Sequence, residues 1–145
     1  MQTGHADNIF TGMKCYCCSG KDLADCCQAF LAGTAKPATA EELMRSRYTA
    51  YVTAAIDYLR QTTHPSTRKF YQAQSVKEWA ESNRWQKLEI ISTSLGGIKD
   101  KQGTVEFKAY YLNKNAKPCV HHEHSNFAKE LGKWFFVDGK VFETA

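Results

Sequence analysis

The chain has 145 residues, 43% of them apolar and 12% aromatic, enough for one main core and too little for two full-sized domains. Charged residues make up 23% and the net charge is +4, which is not the composition of a disordered basic tail. No apolar run approaches the roughly 20 residues of a membrane-spanning helix, and no basic stretch followed by a hydrophobic one opens the chain, so a soluble, unsecreted, cytoplasmic protein is expected.

Residues 1–12, MQTGHADNIFTG, show no periodicity and precede a second methionine, Met13. They read as a tag remnant or a disordered tail. Five of the six cysteines follow at once, as Cys15, Cys17, Cys18, Cys26 and Cys27. Disulfides that staple a small fold are normally spread along the chain and accompany a secretory signal, so this crowding points to a metal. A structural zinc wants four ligands at tetrahedral corners, and two tight cysteine pairs joined by the Ser19-Gly20 turn supply them. Gly20 takes a positive φ at little cost, and Lys14 and Lys21 stand ready to offset thiolate charge. Cys15 with Cys18 also forms a C-x-x-C, which offers Cys18 in place of Cys17, or a redox pair, or simply small buried thiols. On a continuous helix Cys26 and Cys27 point about 100° apart, so both reach one ion only beside the first turns. Four thiolates leave no open position for water, which argues against a catalytic zinc.

The segment Cys15-Tyr16-Cys17-Cys18-Ser19-Gly20-Lys21, with Cys26-Cys27 after it, resembles the SEC-C zinc motif. Cys15, Cys17, Ser19, Gly20, Lys21, Cys26 and Cys27 stand at the motif's positions, while Tyr16 replaces its usual Pro and Cys18 its usual Gly. The resemblance implies one structural zinc held by Cys15, Cys17, Cys26 and Cys27, in a knuckle and short helix over 13–36.

Leu23 to Leu31 predicts a helix, and Gly33 to Ala38, with Pro37, a linker. Thr39 and Glu42 form a capping box before a long apolar stripe of Met44, Tyr48, Tyr51, Val52, Ala55 and Leu59, which predicts one helix ending near Thr62 ahead of Pro65. Ser75 and Glu78 suggest a second capping box, with Val76, Trp79 and Ala80 as the buried face. Leu88–Leu95, Val105–Leu112, Val120–Phe127 and Trp134–Phe142 then predict four antiparallel strands, unless Asp138-Gly139 closes a late hairpin inside the last. Helices followed by strands give an α+β fold with helices on one face of a sheet.

Met44 to Tyr51 (MRSRYTAY), Asp57-Tyr58-Leu59 with Thr62 and Pro65, Val105 to Tyr111 (VEFKAYY), His122-Glu123 with Ser125 and Phe127, and Gly132 to Gly139 (GKWFFVDG) together resemble the YchJ-like family of small bacterial SEC-C proteins. The match runs from Met13 onward. It implies a cone-shaped domain of the nuclear transport factor 2 type over 37–145, with a curved antiparallel sheet around helices, and no established activity. Cone domains of this type often pair through their sheet faces, so a homodimer is among the expectations.

Cys119, His121, His122, Glu123 and His124 crowd one predicted strand. Alternation puts Cys119, His121 and Glu123 on one face and His122 and His124 on the other, so a metal site from this strand alone is strained and ordinary paired histidines are the simpler reading. On the long helix Arg45 falls with Thr49, Thr53 and Arg60 on an expected solvated face. Arg47 falls with Leu43, Tyr51, Ala54 and Tyr58 at the edge of the buried side, where a guanidinium needs a partner. Glu123 and Asp138 are the candidates, and Arg47 with Glu123 would line a cavity between helix and sheet.

Three functions follow. The first is a zinc-stabilised adaptor that binds another protein; the SEC-C resemblance to the tail of the SecA translocation motor implies a chaperone, translocation or ribosome-associated partner. The second is a small-molecule binder or enzyme using the cone cavity, although no nucleophile with a base is visible and Gly96-Gly97 lacks the spacing of a phosphate cradle. RNA or ribosome binding is third: the net charge permits it, but the basic residues are scattered.

Overall fold

The computed structural model describes residues 12–143. The segment read as a tag remnant or tail lies, as far as Thr11, outside them. Among the described residues no helix is long and apolar enough to cross a membrane.

The chain opens with a tight loop closed by a bridge between Lys14 and Asp22, in which Cys15 N–H donates to Lys21 O and Leu23 N–H to Met13 O at 2.8 and 2.7 Å. Leu23–Asp25 form one 3-10 turn, and helix α1 spans Cys27–Ala32. The single helix expected over 23–31 is therefore interrupted. Cys26 takes φ −133° and ψ −115°, outside the helical region, because both neighbouring sulfurs must turn to the same side. Gly33, at φ 80°, caps α1 in the left-handed conformation.

Helix α2 spans Ala40–Val52. Its capping box is formed: Thr39 Oγ1 accepts from Glu42 N–H and Glu42 Oε1 from Ala38 N–H. The expected continuation to Thr62 is broken, however. Thr53 Oγ1 turns back to Thr49 O, Ala54 adopts φ 57°, Ala55 N–H reaches Ala50 O, and a separate helix α3 runs Ile56–Gln61. A side chain that bonds its own helix competes with the ladder, and no glycine or proline marks the place. Helix α4, Ala73–Ser82, starts two residues before the expected second capping box. Gln72 is its N-cap, without a side-chain bond, and Glu78 accepts from Gln74 instead. Val76 and Trp79 are half-buried and Ala80 is buried.

Four strands follow: β1 (Arg84–Leu95), β2 (Gln102–Leu112), β3 (Pro118–Glu130) and β4 (Lys133–Phe142). They form one antiparallel sheet in the order β1-β2-β3-β4, the α+β fold expected. Asp138 and Gly139 lie inside β4, and the hairpin turn is Leu131-Gly132, both at positive φ. Alternate residues of β2, Val105, Phe107 and Ala109, are buried and join Leu43, Met44 and Tyr48 of α2, Phe127 of β3 and Trp134 of β4 in one core. Cys15, Cys17 and Cys27 belong to that same cluster, so the knuckle packs into the core of the sheet domain.

Two sets of backbone contacts tie the helical layer to the sheet. Gly96 O accepts from Ala40 N–H at 2.9 Å, and a Cβ at Gly96 would stand 2.8 Å from that of Ala40, so Gly96 lets the helix start rest on the β1–β2 turn. At the other end, Thr62 O accepts from Phe136 N–H and Phe136 O from His64 N–H, which ties the segment after α3 to β4.

Candidate functional site

The sulfurs of Cys15, Cys17, Cys26 and Cys27 all lie within 4.8 Å of one another. Cys17 and Cys26 are 3.7 Å apart, and Cys26 and Cys27 are 4.0 Å apart. Four sulfurs about 2.3 Å from a tetrahedral zinc stand about 3.8 Å from each other, so the spacing fits that ion. The break at Cys26 makes this possible. Three of the four residues are buried, Cys17 and Cys27 completely. Hydrogen bonds from Cys17 and Cys27 hold the Cys15 thiol well below its ordinary pKa, and the same bonds push Cys17 up to about 11 and Cys27 up as well. A divalent metal bound there would displace thiol protons.

Cys18, the alternative ligand, is elsewhere. It sits at φ 66°, its sulfur 3.6 Å from Tyr16 O and 3.5 Å from Leu88 N on β1. That left-handed conformation is the one a glycine takes freely, which explains why the SEC-C motif usually has Gly here. Around the cluster, the Ser19 hydroxyl lies 3.3 Å from Cys26 Sγ, an outer-shell contact of the kind that orients a ligand. Lys14 pairs with Asp22.

The expected solvated face of α2 is the platform for this cluster. Arg45 Nη1 donates to Cys17 O at 2.6 Å while its Nε donates to Glu41. Thr49 is 1% exposed, with its hydroxyl 3.8 Å from Cys15 Sγ. Thr53 and Arg60 do remain exposed. The small residues Ser46, Thr49 and Ala50, spaced three and four apart, are the sequence signal for a second packed face; a one-sided reading of the helix overlooks it.

Arg47 is 6% exposed. Its Nη1 donates to Leu59 O, Thr62 Oγ1 and Thr63 Oγ1, and its guanidinium lies 4.5 Å over the Phe136 ring. The expected ion pair with Glu123 or Asp138 is not among the contacts of the described residues. The break at Ala54 is the reason: it folds α3 back, whereas on a straight helix Leu59 would stand about 18 Å along the axis from Arg47. Burial pulls the Arg47 pKa below its ordinary value.

Glu123 is satisfied within its own strand, by His121 Nε2 and Ser125 Oγ, each at 2.7 Å. Burial would raise its pKa, but these hydrogen bonds and the Arg47 charge outweigh it and hold the carboxyl below its ordinary value. A Cβ on Gly139 of β4 would overlap this carboxylate. The strand alternation holds: His122 pairs with Glu106 on the other face, and Cys119 turns to Lys117 O.

Arg47 and Glu123 both line an inner cavity of about 90 Å³ under a cluster of Tyr51, Trp79 and Trp85. Arg47, Tyr51 and Phe136 form the wall it shares with a larger cleft of about 540 Å³, roofed by Phe70, Tyr71 and Val76.

Residues 39–139 match the YchJ middle NTF2-like domain. A UPF0225 protein of Geobacter sulfurreducens is 45% identical over 125 residues, covering 86% of this chain and 77% of that one. The chain belongs to the YchJ-like family. A UPF0225 protein of Haemophilus influenzae, strain PittEE, is 42% identical over 88% of the chain and 78% of its own. Among solved structures, a SEC-C motif containing protein from Rhodopseudomonas palustris superposes with TM-score 0.82 at 37% identity, over 90% of this chain and all of that one. A second, from Psychrobacter arcticus, gives 0.77 at 28% identity over 94% and 87%. The YchJ-like domain and the SEC-C resemblance expected from the sequence are thus both matched, and the four-cysteine cluster of this chain is its candidate metal site.

Proposed function

We propose that this YchJ-like protein holds one structural zinc on Cys15, Cys17, Cys26 and Cys27, and that the zinc-ordered knuckle is a docking surface for another protein in the cytoplasm. The observation that carries the reading is the closure of the cluster. Four sulfurs face one another and three of those cysteines are buried, so a bound zinc has no position left for water or substrate. Its contribution is to shape a surface. That surface presents Met13 and Tyr16, each 37% exposed, beside Lys14, Cys18 and Lys21, and the Arg45 bond holds it rigid on α2. Small rigid polar patches with an aromatic anchor suit protein recognition. A chaperone, translocation or ribosome-associated partner is the SEC-C expectation.

A photo-crosslinking amino acid at position 16, introduced in cells, tests this. A discrete cross-linked protein that disappears when Cys26 and Cys27 are changed to Ser supports docking through the knuckle. The same products from a probe at Leu131, fully exposed on the β3–β4 turn, or products that survive the loss of zinc, overturn it.

A further inference from the structure

The polar groups of the cone cavity are unequally satisfied. Glu123 has a hydrogen-bond donor on each oxygen. Arg47 spends only Nη1 on the protein; Nε and Nη2 have no hydrogen-bond partner among the described residues, although the residue is 94% buried (6% exposed). A buried guanidinium with unspent donors is costly. Here it stands on the wall shared by the inner cavity and the outer cleft.

We propose that the cone cavity is a binding site for a small amphipathic monocarboxylate, whose carboxylate takes the free donors of Arg47 and whose apolar body lies along Tyr51, Phe70, Tyr71, Val76 and Phe136. The charge count decides for a monoanion. Arg47 is the single cation among the residues lining the cleft, and Asp138 stands at its rim; Glu123 adds a second carboxylate in the inner cavity. A dianionic phosphate would meet one guanidinium against two carboxylates, whereas a carboxylate matches the two N–H groups of one arginine fork. The size also fits. A cleft of about 540 Å³ is within the range of small-molecule sites, and its lining sets an aromatic and aliphatic wall beside an equal number of polar residues, so it offers an apolar body and a polar head a place each. Phe136, already beneath the guanidinium, fixes the fork's plane so that little ordering is needed on binding. The site is independent of the metal: no cysteine lines it.

The test uses the whole chain with its metal and four probes: decanoate, 4-phenylbutyrate, 4-phenylbutanol and inorganic phosphate, titrated calorimetrically and by amide and Arg Nε–H NMR. At least one of the two acids should bind at sub-millimolar concentration and shift the Arg47 Nε–H and the amides of Tyr51 and Phe136. The neutral alcohol should bind at least about tenfold more weakly than its acid, the loss expected for one charge-assisted bidentate contact. Phosphate should leave these signals unmoved. Arg47→Gln should abolish acid binding, and because Arg47 also holds α3, Ser75→Trp provides a second variant that fills the cleft from the exposed side of α4 without touching the guanidinium. It too should abolish binding while the thermal midpoint is kept. Alcohol binding as tight as acid binding, phosphate binding at Arg47, no acid binding at millimolar concentration, or full acid affinity in Ser75→Trp each overturns the proposal.

Discussion

Arg45 Nη1 and the Cys17 carbonyl, 2.6 Å apart across 28 residues of chain, join the four-cysteine knuckle to the helix on which the cone domain is built. Arg45 is also held by Glu41 one turn earlier, so α2 itself helps to orient the guanidinium toward the knuckle. With Thr49 against Cys15, this makes α2 buried on two opposed sides, by the sheet and by the cysteines.

Replacing Arg45 by Met keeps the aliphatic stem and removes the charge-assisted bond to the carbonyl. A hydrogen bond to a charged group contributes about 1.5–3 kcal/mol. The expected outcome is a loss of that order in urea unfolding, together with weaker zinc retention against a chelator competitor, while the sheet's circular dichroism is kept.

Cys18 occupies a left-handed position at φ 66°, where an L-residue pays about 1–2 kcal/mol that glycine does not. Its compensation is two weak contacts, with Tyr16 O and with Leu88 N–H. Cys18→Gly is therefore expected to be neutral or stabilising by up to about 1 kcal/mol and to keep one metal ion per chain. Cys17→Ser should lose the metal. Elemental analysis of the two variants separates the ligand from its neighbour.

What the sequence made legible was local. Five cysteines crowded within 13 residues pointed to a metal, the SEC-C resemblance chose four of them, and the strands were marked by alternation punctuated at Gly132 and at Asp100 to Gly103. The break between α2 and α3 was not legible, because Thr53, Ala54 and Ala55 carry no glycine or proline and the apolar stripe runs on through it. One consequence was hidden with it: the carbonyl and hydroxyls that take Arg47 Nη1 come from the α3 segment and the residues just after it, not from a carboxylate. The second face of α2 was hidden for a different reason. Arg45 and Thr49 look solvated until another part of the chain covers them; the small residues Ser46, Thr49 and Ala50 signal that this face packs, but not against what.

Glu123 gives the fold an acid-sensitive element. Its folded pKa is held below the ordinary 4.5, so its stabilisation is present above that value and is lost as pH falls through the lower, folded one. Glu123→Gln should cost about 1.5–3 kcal/mol at neutral pH, the range for hydrogen bonds to a charged group. Urea midpoints measured from pH 7 to pH 3 should show the difference between wild type and variant shrinking below about pH 4.5. A difference that stays constant to pH 3 would mean that the carboxylate charge is not what His121 and Ser125 stabilise.

Removing the proposed zinc should loosen the knuckle more than the sheet. The cysteine loop reaches the strands through Cys18 and Leu88, whereas its principal anchors are Arg45 and Thr49 on α2. Thiolates freed of a cation take up protons, since four bare charges cannot remain together in a buried cluster. Incubation with a strong chelator is therefore expected to raise amide exchange across residues 14–32 and at the knuckle-facing side of α2 by at least about tenfold. Protection in β2 and β3, whose core rests on Val105, Phe107 and Phe127, should change little. Exchange by mass spectrometry with and without one equivalent of added zinc checks this, and unchanged protection in residues 14–32 after complete metal removal would show that the loop's backbone bonds suffice to hold it.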